Sequence, residues 1–411
     1  MPNIATGINK LLTFKRQTGI GVLAGATLAQ NLRRVTSNLD LKKATYGSNE
    51  IRPSQQRSEF RHGVRSVDGT ISGELSVGTY QSFIESILRQ GAQVAVSVAA
   101  AANDMTSAST GTNTGTLTVI AASFMAGNKF KVGMVVRPTG FTTTATANNG
   151  ANMLITALTD KIMTVARLDG QPVVAKVETG AVTIASVGKH TFVPQSGQTR
   201  DYYTIEHNFK DIVQAEQFTD CVIDSLDVKL PATGMATVDF GVKGLNMTTS
   251  TAGYFTSPSP VSTGAALAAV NGAVYMAGVP IALITGLNVS VKGNYAPIGG
   301  VVGSNVDPDI LPGAVEVSGQ ATVLFTDATV RDYFINETEV SLYAVFTAGN
   351  TPGADFVAIS MPRVKMGGAS KDDGEKGLVL TVPFTALENV TGGSGTNSHA
   401  TTIAIQDSLF V

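Results

Sequence analysis

From Ser225 the chain reads Ser-Leu-Asp-Val-Lys-Leu230, turns through Pro231-Ala-Thr-Gly234, and resumes from Ala236 to Val242. Leu226, Val228 and Leu230, then Val238, Phe240 and Val242, hold every second position, with Asp227, Lys229, Thr237 and Asp239 between them. Side chains on a strand point alternately to opposite faces, so this pattern predicts a hairpin with one packed face and one that is wet or at an interface. A second hairpin is predicted from Ser360-Met-Pro-Arg-Val-Lys-Met366 and Leu378 to Phe384, with a longer, charged tip from Gly367 to Gly377.

The hairpins close two stretches that repeat each other. Val35 to Tyr46 lines up with Ile284 to Tyr295, pairing Thr36 with Thr285, Lys43 with Lys292 and Tyr46 with Tyr295. Val67 to Leu75 lines up with Val317 to Phe325, placing Gly69 over Gly319. A helical stripe follows each time: Tyr80, Phe83, Ile84, Ile87 and Leu88 after Thr79 as N-cap, and Val330, Tyr333 and Phe334 after Asp327. Both stripes read as core. The order strand, loop, strand, helix, hairpin thus occurs twice, over about 35–247 and 284–386, which is the mark of a duplicated unit.

The first copy is longer because something interrupts it between helix and hairpin. Low-complexity Ala99 to Thr116 opens the interruption, and strands follow at 115–120, 130–137, 153–158, 161–166 and 181–187, with Asn148-Asn-Gly150 and Leu168-Asp-Gly170 as turns. The chain therefore divides into an N-terminal assembly arm (1–34), a first unit in two pieces (35–102 and 192–247), an inserted all-β domain (103–191), a connecting arm (248–278) and a second unit (279–411). Ser-Pro-Ser-Pro and an Ala-rich patch mark the connecting arm.

Composition agrees with a mainly β fold carrying a few short helices. Aromatic residues make up 6%, Trp is absent, and 43 glycines accompany many Thr, Ser, Ala and Val residues. Charged residues make up 15%, against roughly a quarter in soluble proteins, so much of the surface is expected to face other protein. Net charge is −2, and no Lys/Arg run is dense enough for a face that binds DNA by neutralising phosphates. Cys221, the one cysteine, excludes an intrachain disulfide and a cysteine metal cluster. No charged segment followed by an apolar run begins the chain, and no apolar stretch reaches membrane-spanning length, so neither export by a standard signal nor a membrane anchor is expected.

Chemistry-bearing motifs are weak. Gly19-Ile-Gly21-Val-Leu-Ala-Gly25 with Asp40 downstream has the outline of a dinucleotide fingerprint, but Thr13-Phe-Lys-Arg-Gln-Thr18 is not a buried apolar strand and no βαβ rhythm follows, so it reads as a flexible assembly arm. His62, His190, His207 and His399 lack ligand spacing and read as surface or interface residues. Asp307-Pro-Asp309 and Lys371-Asp-Asp-Gly-Glu375 lack the regular spacing of a calcium loop and read as turns. There is no GxSxG elbow, and a glycosidase pair of carboxylates would want the aromatic platforms that this Trp-free chain lacks. No catalytic residue, cofactor or metal is expected, and the chain is read as structural.

These residues resemble the tail tube proteins of siphophage type. The resemblance rests on the arm reaching Leu32-Arg-Arg-Val-Thr-Ser37, on Glu50-Ile-Arg-Pro-Ser-Gln-Gln56, on Gly63 to Glu74 with its helix, and on the hairpin at Ser225 to Leu230. The insert departs from the minimal family unit and resembles the immunoglobulin-like decorations of some members. The resemblance implies two tail-tube-like units that form β-sandwiches and a barrel. It further implies self-assembly in the host cytoplasm into stacked rings of a virion tail, around a tape-measure protein and between tail tip and terminator proteins, with transient passage of DNA. Rings of single-unit members are hexameric, so two units per chain imply a trimer. By place in the repeat, hairpins 222–246 and 357–386 become barrel-wall candidates, with Asp227, Lys229, Thr237 and Asp239 facing the lumen if the polar face does. Arg33, Arg34, Glu50, Arg52, Arg57, Lys371, Asp372, Asp373 and Glu375 become candidates for contacts between rings. A cell-surface or capsid-decorating β-sandwich binding protein is the competing expectation, and a polysaccharide-active enzyme a more distant one.

Overall fold

A computed structural model describes residues 4–281, 283–372, 377–390 and 397–410. The fold is mainly β. Its frame is an antiparallel wall built from β1 (Asp40–Gly47), β2 (Phe60–Glu74), β3 (Gln214–Pro231), β4 (Thr237–Gly244), β5 (Ile284–Lys292), β6 (Glu316–Leu324), β7 (Phe356–Met366), β8 (Ser370–Lys371) and β9 (Val379–Ala386). They pair in the order β1, β2, β4, β3, β5, β6, β9, and the end of β7 followed by β8 runs along β9 as the last position.

The two halves of this wall have one internal order. β1–β2–β4–β3 is matched by β5–β6–β9–β7/β8, and the seam between them sets Ser225–Pro231 of β3 against Lys292–Gly286 of β5. A second layer lies behind each half. In the first, Lys10–Arg16 pairs with Tyr203–Phe209, which pairs with the early part of β3, while Asn246–Ser250 takes the other side of that strand. In the second, Gly272–Met276, Val340–Thr347, early β7 and Ala404–Asp407 repeat the arrangement. β3 serves both layers, and an extra residue between Ile223 and Ser225 breaks its register where it passes from one to the other.

Alternation decides which face is packed. Leu226, Val228, Leu230, Val238, Phe240, Val242, Leu287, Val289, Val291, Val382 and Phe384 are all buried, and their neighbours face away. Helix α1 (Gln81–Leu88) fills the space between the layers of the first half. Phe83 is 1% exposed and its ring lies 4.8 Å from Phe14, 5.4 Å from Tyr203 and 5.3 Å from Phe240. Burying such a side chain contributes about 2–3 kcal/mol.

Several details differ from the sequence reading. Residues 10–16, expected in a flexible arm, form a strand paired along its length, with Leu12 and Phe14 in the core, because Leu-Leu-Thr-Phe supplies the inward positions. Leu41 faces Val67 as Val291 faces Val317, so Lys42 corresponds to Lys292, one place from the match of Lys43 with Lys292. In the second hairpin, Ser370 faces Thr381 as Asp227 faces Asp239, whereas Ser360 sits in the second layer opposite Tyr343 and Ala404. β7 is buried on both faces over most of its length, so its sequence carries no alternation to set the register. Thr79 makes no side-chain cap on α1, its hydroxyl bonding Ser76 instead, whereas Asp327 Oδ1 accepts the Thr329 N–H at 2.8 Å. The stripe of α2 (Thr329–Ile335) is core only in part: Val330 and Tyr333 pack half-buried against the core, none of the helix's residues is fully buried, and Phe334 is 40% exposed.

Between α1 and β3 a separate eight-stranded sheet spans Ser97 to Ser186. An immunoglobulin sandwich has two sheets; here the strands pair as one continuous antiparallel ladder curled round Phe124, Phe130, Met134, Met153 and Met163. That core continues into Tyr275, Tyr343, Val345, Phe356 and Ala358 of the second half, so the sheet is packed on the frame. Arg167 and Asp169, with side chains 2% and 1% exposed, form an ion pair of 2.6 Å inside it.

Candidate functional site

The outward face of the wall is a lawn of short polar side chains. One row runs Ser72, Asp239, Asp227, Ser290, Ser318, Thr385 from β2 to β9. The next runs Glu74, Thr237, Lys229, Asn288, Gln320, Pro383. Asp227, Lys229, Thr237 and Asp239, singled out from sequence, are thus brought together on one face, and the rows extend them across both halves. The sequence reading missed Ser72, Glu74, Asn288, Ser290, Ser318 and Gln320. Their signal was present as alternation in β2, β5 and β6, but the pairing partners are far apart in the chain.

Charges on this face have both signs. Lys229 Nζ meets Asp239 Oδ2 at 2.7 Å. Partial burial of Asp239 works to raise its pKa, yet the hydrogen bonds from Lys229 and Ser72 hold it below the ordinary range. The hydrogen bond to Asp239 in turn raises Lys229. Glu74, Asp227 and Glu316 and the amine of Lys292 are spread among hydroxyls and amides, so no dense basic row forms.

The wall ends in two open edges. β1 pairs with β2 on one side, and every residue of it except Leu41 is exposed. At the far end β8 pairs with β9, and among the described residues no strand covers its other side. Open edges of this kind are templates for another chain.

The residues proposed from sequence for contacts between rings do not form one cluster. Arg33 donates to the Gly264 carbonyl at 2.6 Å, and Arg34 to the carbonyls of Lys10 at 2.5 Å and Gly7 at 3.1 Å, so both satisfy groups of their own chain. Glu50 and Arg52 pair at 3.0 Å on an exposed loop that also carries Arg57 and the wholly exposed Ile51. Lys371 and Asp372 lie at the far open edge: Lys371 Nζ stands 4.6 Å over the ring of Phe325, and Asp372 accepts the Val379 N–H at 2.7 Å. Asp373 and Glu375 lie outside the described residues.

Of the histidines, His62 is exposed, while His190, His207 and His399 are buried. His207 Nε2 shares a 2.8 Å hydrogen bond with Ser37, and the rings of His190 and His399 are 5.0 Å apart. Among the described residues no three His, Cys, Asp or Glu side chains are placed to hold a metal ion, and no helix is long and apolar enough to cross a membrane. Cys221 is fully buried, which pushes its thiol pKa up.

A two-layer frame with open ends and a polar outer face is a building block, and comparison with known families identifies which. The family model for the phage tail tube protein matches residues 7–386. The chain belongs to the phage tail tube protein family. No curated protein matches it. Membership gives the tail tube protein a structural role in the virion tail, in assembly with itself and with other tail proteins. The competing reading as a surface or capsid-decorating protein is not favoured.

Proposed function

We propose that three copies of this tail tube protein close into a ring whose continuous β wall lines a bore, and that rings stack into the hollow tube through which DNA leaves the particle. The observation that carries this is the seam inside the chain. There the β3 edge of the first half takes up the β5 edge of the second over seven paired positions. Because the halves share one strand order, β8 is the counterpart of late β3, and β1 the counterpart of β5. Both are open. Repeating the seam between chains sets Ala369 against Leu41 and Ser370 against Asp40, as Leu226 meets Val291 and Asp227 meets Ser290. Inward positions then meet inward ones. A closed ring removes both edges, which an open sheet of this length would otherwise expose to aggregation.

On this reading the halves are copies of one unit, so a ring with the sixfold repeat of single-unit members needs three chains. The polar face lines the bore because the other face is occupied by the second layer. Hydroxyls and mixed charges suit a conduit: a basic wall would hold DNA by releasing its counterions, whereas this one lets it slide. The sheet 97–186 packs behind the second half, on the layer away from the bore, and the tape-measure, tip and terminator proteins are the partners expected along and at the ends of the tube. Electron microscopy of the purified protein tests the reading. Rings or tubes of uniform diameter with three chains per ring are expected; six chains per ring reject the trimer, and dispersed monomers at high concentration reject the tube.

A further inference from the structure

The connecting segment between the halves does more than link them. Its residues 264–268 lie beside the end of β2 as an added strand. The Val77 N–H donates to Ala265 O at 3.1 Å, Leu267 N–H to Leu75 O at 2.8 Å and Ala236 N–H to Leu267 O at 2.9 Å, with Ser76 facing Ala266. Leu267 is 0% exposed, sealing the groove at the foot of α1. Directly afterwards the chain makes a short 3-10 turn, Ala269–Asn271, and enters the strand Gly272–Met276.

The second half has the corresponding groove, uncovered among the described residues. Phe325 N–H donates to Leu378 O at 2.9 Å, as Leu75 N–H donates to Ala236 O at 2.8 Å, but among the described residues no added strand hydrogen-bonds to Phe325–Asp327 as Ala265 and Leu267 do to Val77 and Leu75. The result is an open groove of about 320 Å³ lined by Val279, Leu283, Phe325, Val330 and Tyr333, with Val279 64% and Leu283 44% exposed.

The chain also holds a second segment built like the connector. Gly7–Asn9 is a short 3-10 turn leading straight into Lys10–Arg16, the counterpart of Gly272–Met276. Ile8 is 91% exposed, as Val270 is 83% exposed at the matching place in the connector's turn. Ile4, 82% exposed, stands where Ala266 stands. The connector precedes the second half and covers the groove of the first. By the same step the N-terminal segment, which precedes the first half, belongs on the second half of the preceding chain in the ring.

We infer that residues 4–6 of one tail tube protein add as a strand beside Phe325–Asp327 of its ring neighbour, with Ala5 over the groove at the place of Leu267 and Ile4 facing Thr326 as Ala266 faces Ser76. This rests on the ring reading above. Each chain is then latched to the next by a segment outside the wall, in addition to the wall seam itself.

Disulfide trapping tests it. Ile4→Cys and Thr326→Cys stand at the places of Ala266 and Ser76, and the buried native Cys221 does not compete. In oxidised assemblies the double variant is expected to shift from monomer to covalent dimers and trimers on non-reducing gels, and a mixture of the two single variants to stop at dimers. Rings that stay monomeric on the gel, or an intrachain disulfide found by mass, overturn the inference while leaving the ring intact. In a second measurement, deleting residues 2–6 is expected to leave the circular dichroism unchanged and raise the concentration needed for assembly at least tenfold. Assembly of that variant at the unaltered concentration also overturns it, and failure of the unmodified chain to form rings overturns both readings.

Discussion

The guanidinium of Arg89, at the end of α1 in the first half, lies 5.3 Å from the ring centroid of Tyr295 in the second. The same side chain donates to Gly293 O at 2.7 Å and to Gln198 Oε1 at 3.1 Å, and Arg89 and Tyr295 are 4% and 2% exposed. Arg89 therefore fastens the two halves together behind the seam. Replacing it with Met leaves a buried carbonyl without its charged donor, at a cost of about 2 kcal/mol. Denaturant unfolding of the dispersed chain is expected to show that loss. A double-mutant cycle with Tyr295→Leu is expected to give about 0.5–2 kcal/mol of coupling; additive effects would mean that the stacking contributes nothing.

Gly319 is a second point where the wall has no slack. A methyl group there would fall on the carbonyl of Asn288 and the ring of Phe384. Gly319→Ala is expected to lower stability by about 1–3 kcal/mol, the usual penalty for overpacking. A thermal melt unchanged from the parent would show that the ring has room to move.

Alternation in β2 and β6 sets the faces of Gly69, opposite Val242, and Gly319, opposite Phe384, and Asp227, Lys229, Thr237 and Asp239 are legible as one face for the same reason. Where burial is two-sided, as in Phe356–Val364, alternation vanishes and the hairpin register slipped. Where pairing is remote, as between Lys10–Arg16 and Tyr203–Phe209, a strand looked like an arm. Val330, Tyr333 and Phe334 carry a core stripe, yet the chain alone leaves it half-covered. The open groove beside it is where we place a neighbouring chain.

Removing residues 1–34 should accordingly do more than block polymerisation. It strips Leu12 and Phe14 from the core and leaves the strand Tyr203–Phe209 unpaired along the side that Lys10–Arg16 covers. Loss of cooperative unfolding is expected for that deletion, in contrast to the folded product expected from deleting residues 2–6.

The open edge offers a cleaner way to separate folding from assembly. Ala369 is partly buried at the edge and takes the inward position equivalent to Leu226. A lysine there would be tolerated by a free chain, whose edge is open to water, but would carry a charge into the seam between chains. Ala369→Lys is expected to keep its unfolding free energy within about 1 kcal/mol of the parent and to lose rings in sedimentation or microscopy. Normal tubes from this variant would contradict the proposed seam.

The pair His190 and His399 gives the chain a dependence on pH. Both are buried where the 97–186 sheet meets the second half, in a cavity shared with Lys129 and Lys131. Burial lowers His190 to about 4, and burial together with the charges of His190 and Lys131 lowers His399 to about 3. Their folded pKa values lie below the unfolded value near 6.5, so the unfolded chain binds protons first. Stability from this pair is complete above about pH 6.5 and is lost as pH falls towards 4. Asp407 works in the opposite sense: burial raises it to about 7, with Asp355 adding to the effect, so its contribution is present below about pH 4 and fades as pH rises to 7. The two tendencies partly cancel in the parent protein, and a difference between variants separates them. His399→Phe keeps the ring stack with Phe192, whose centroid is 5.0 Å away, and keeps the backbone carbonyl that accepts Asn389 Nδ2 at 3.0 Å. Relative to this variant the parent is expected to lose stability steadily from pH 6.5 to 4, whereas a constant difference across that window would show that His399 does not titrate on unfolding.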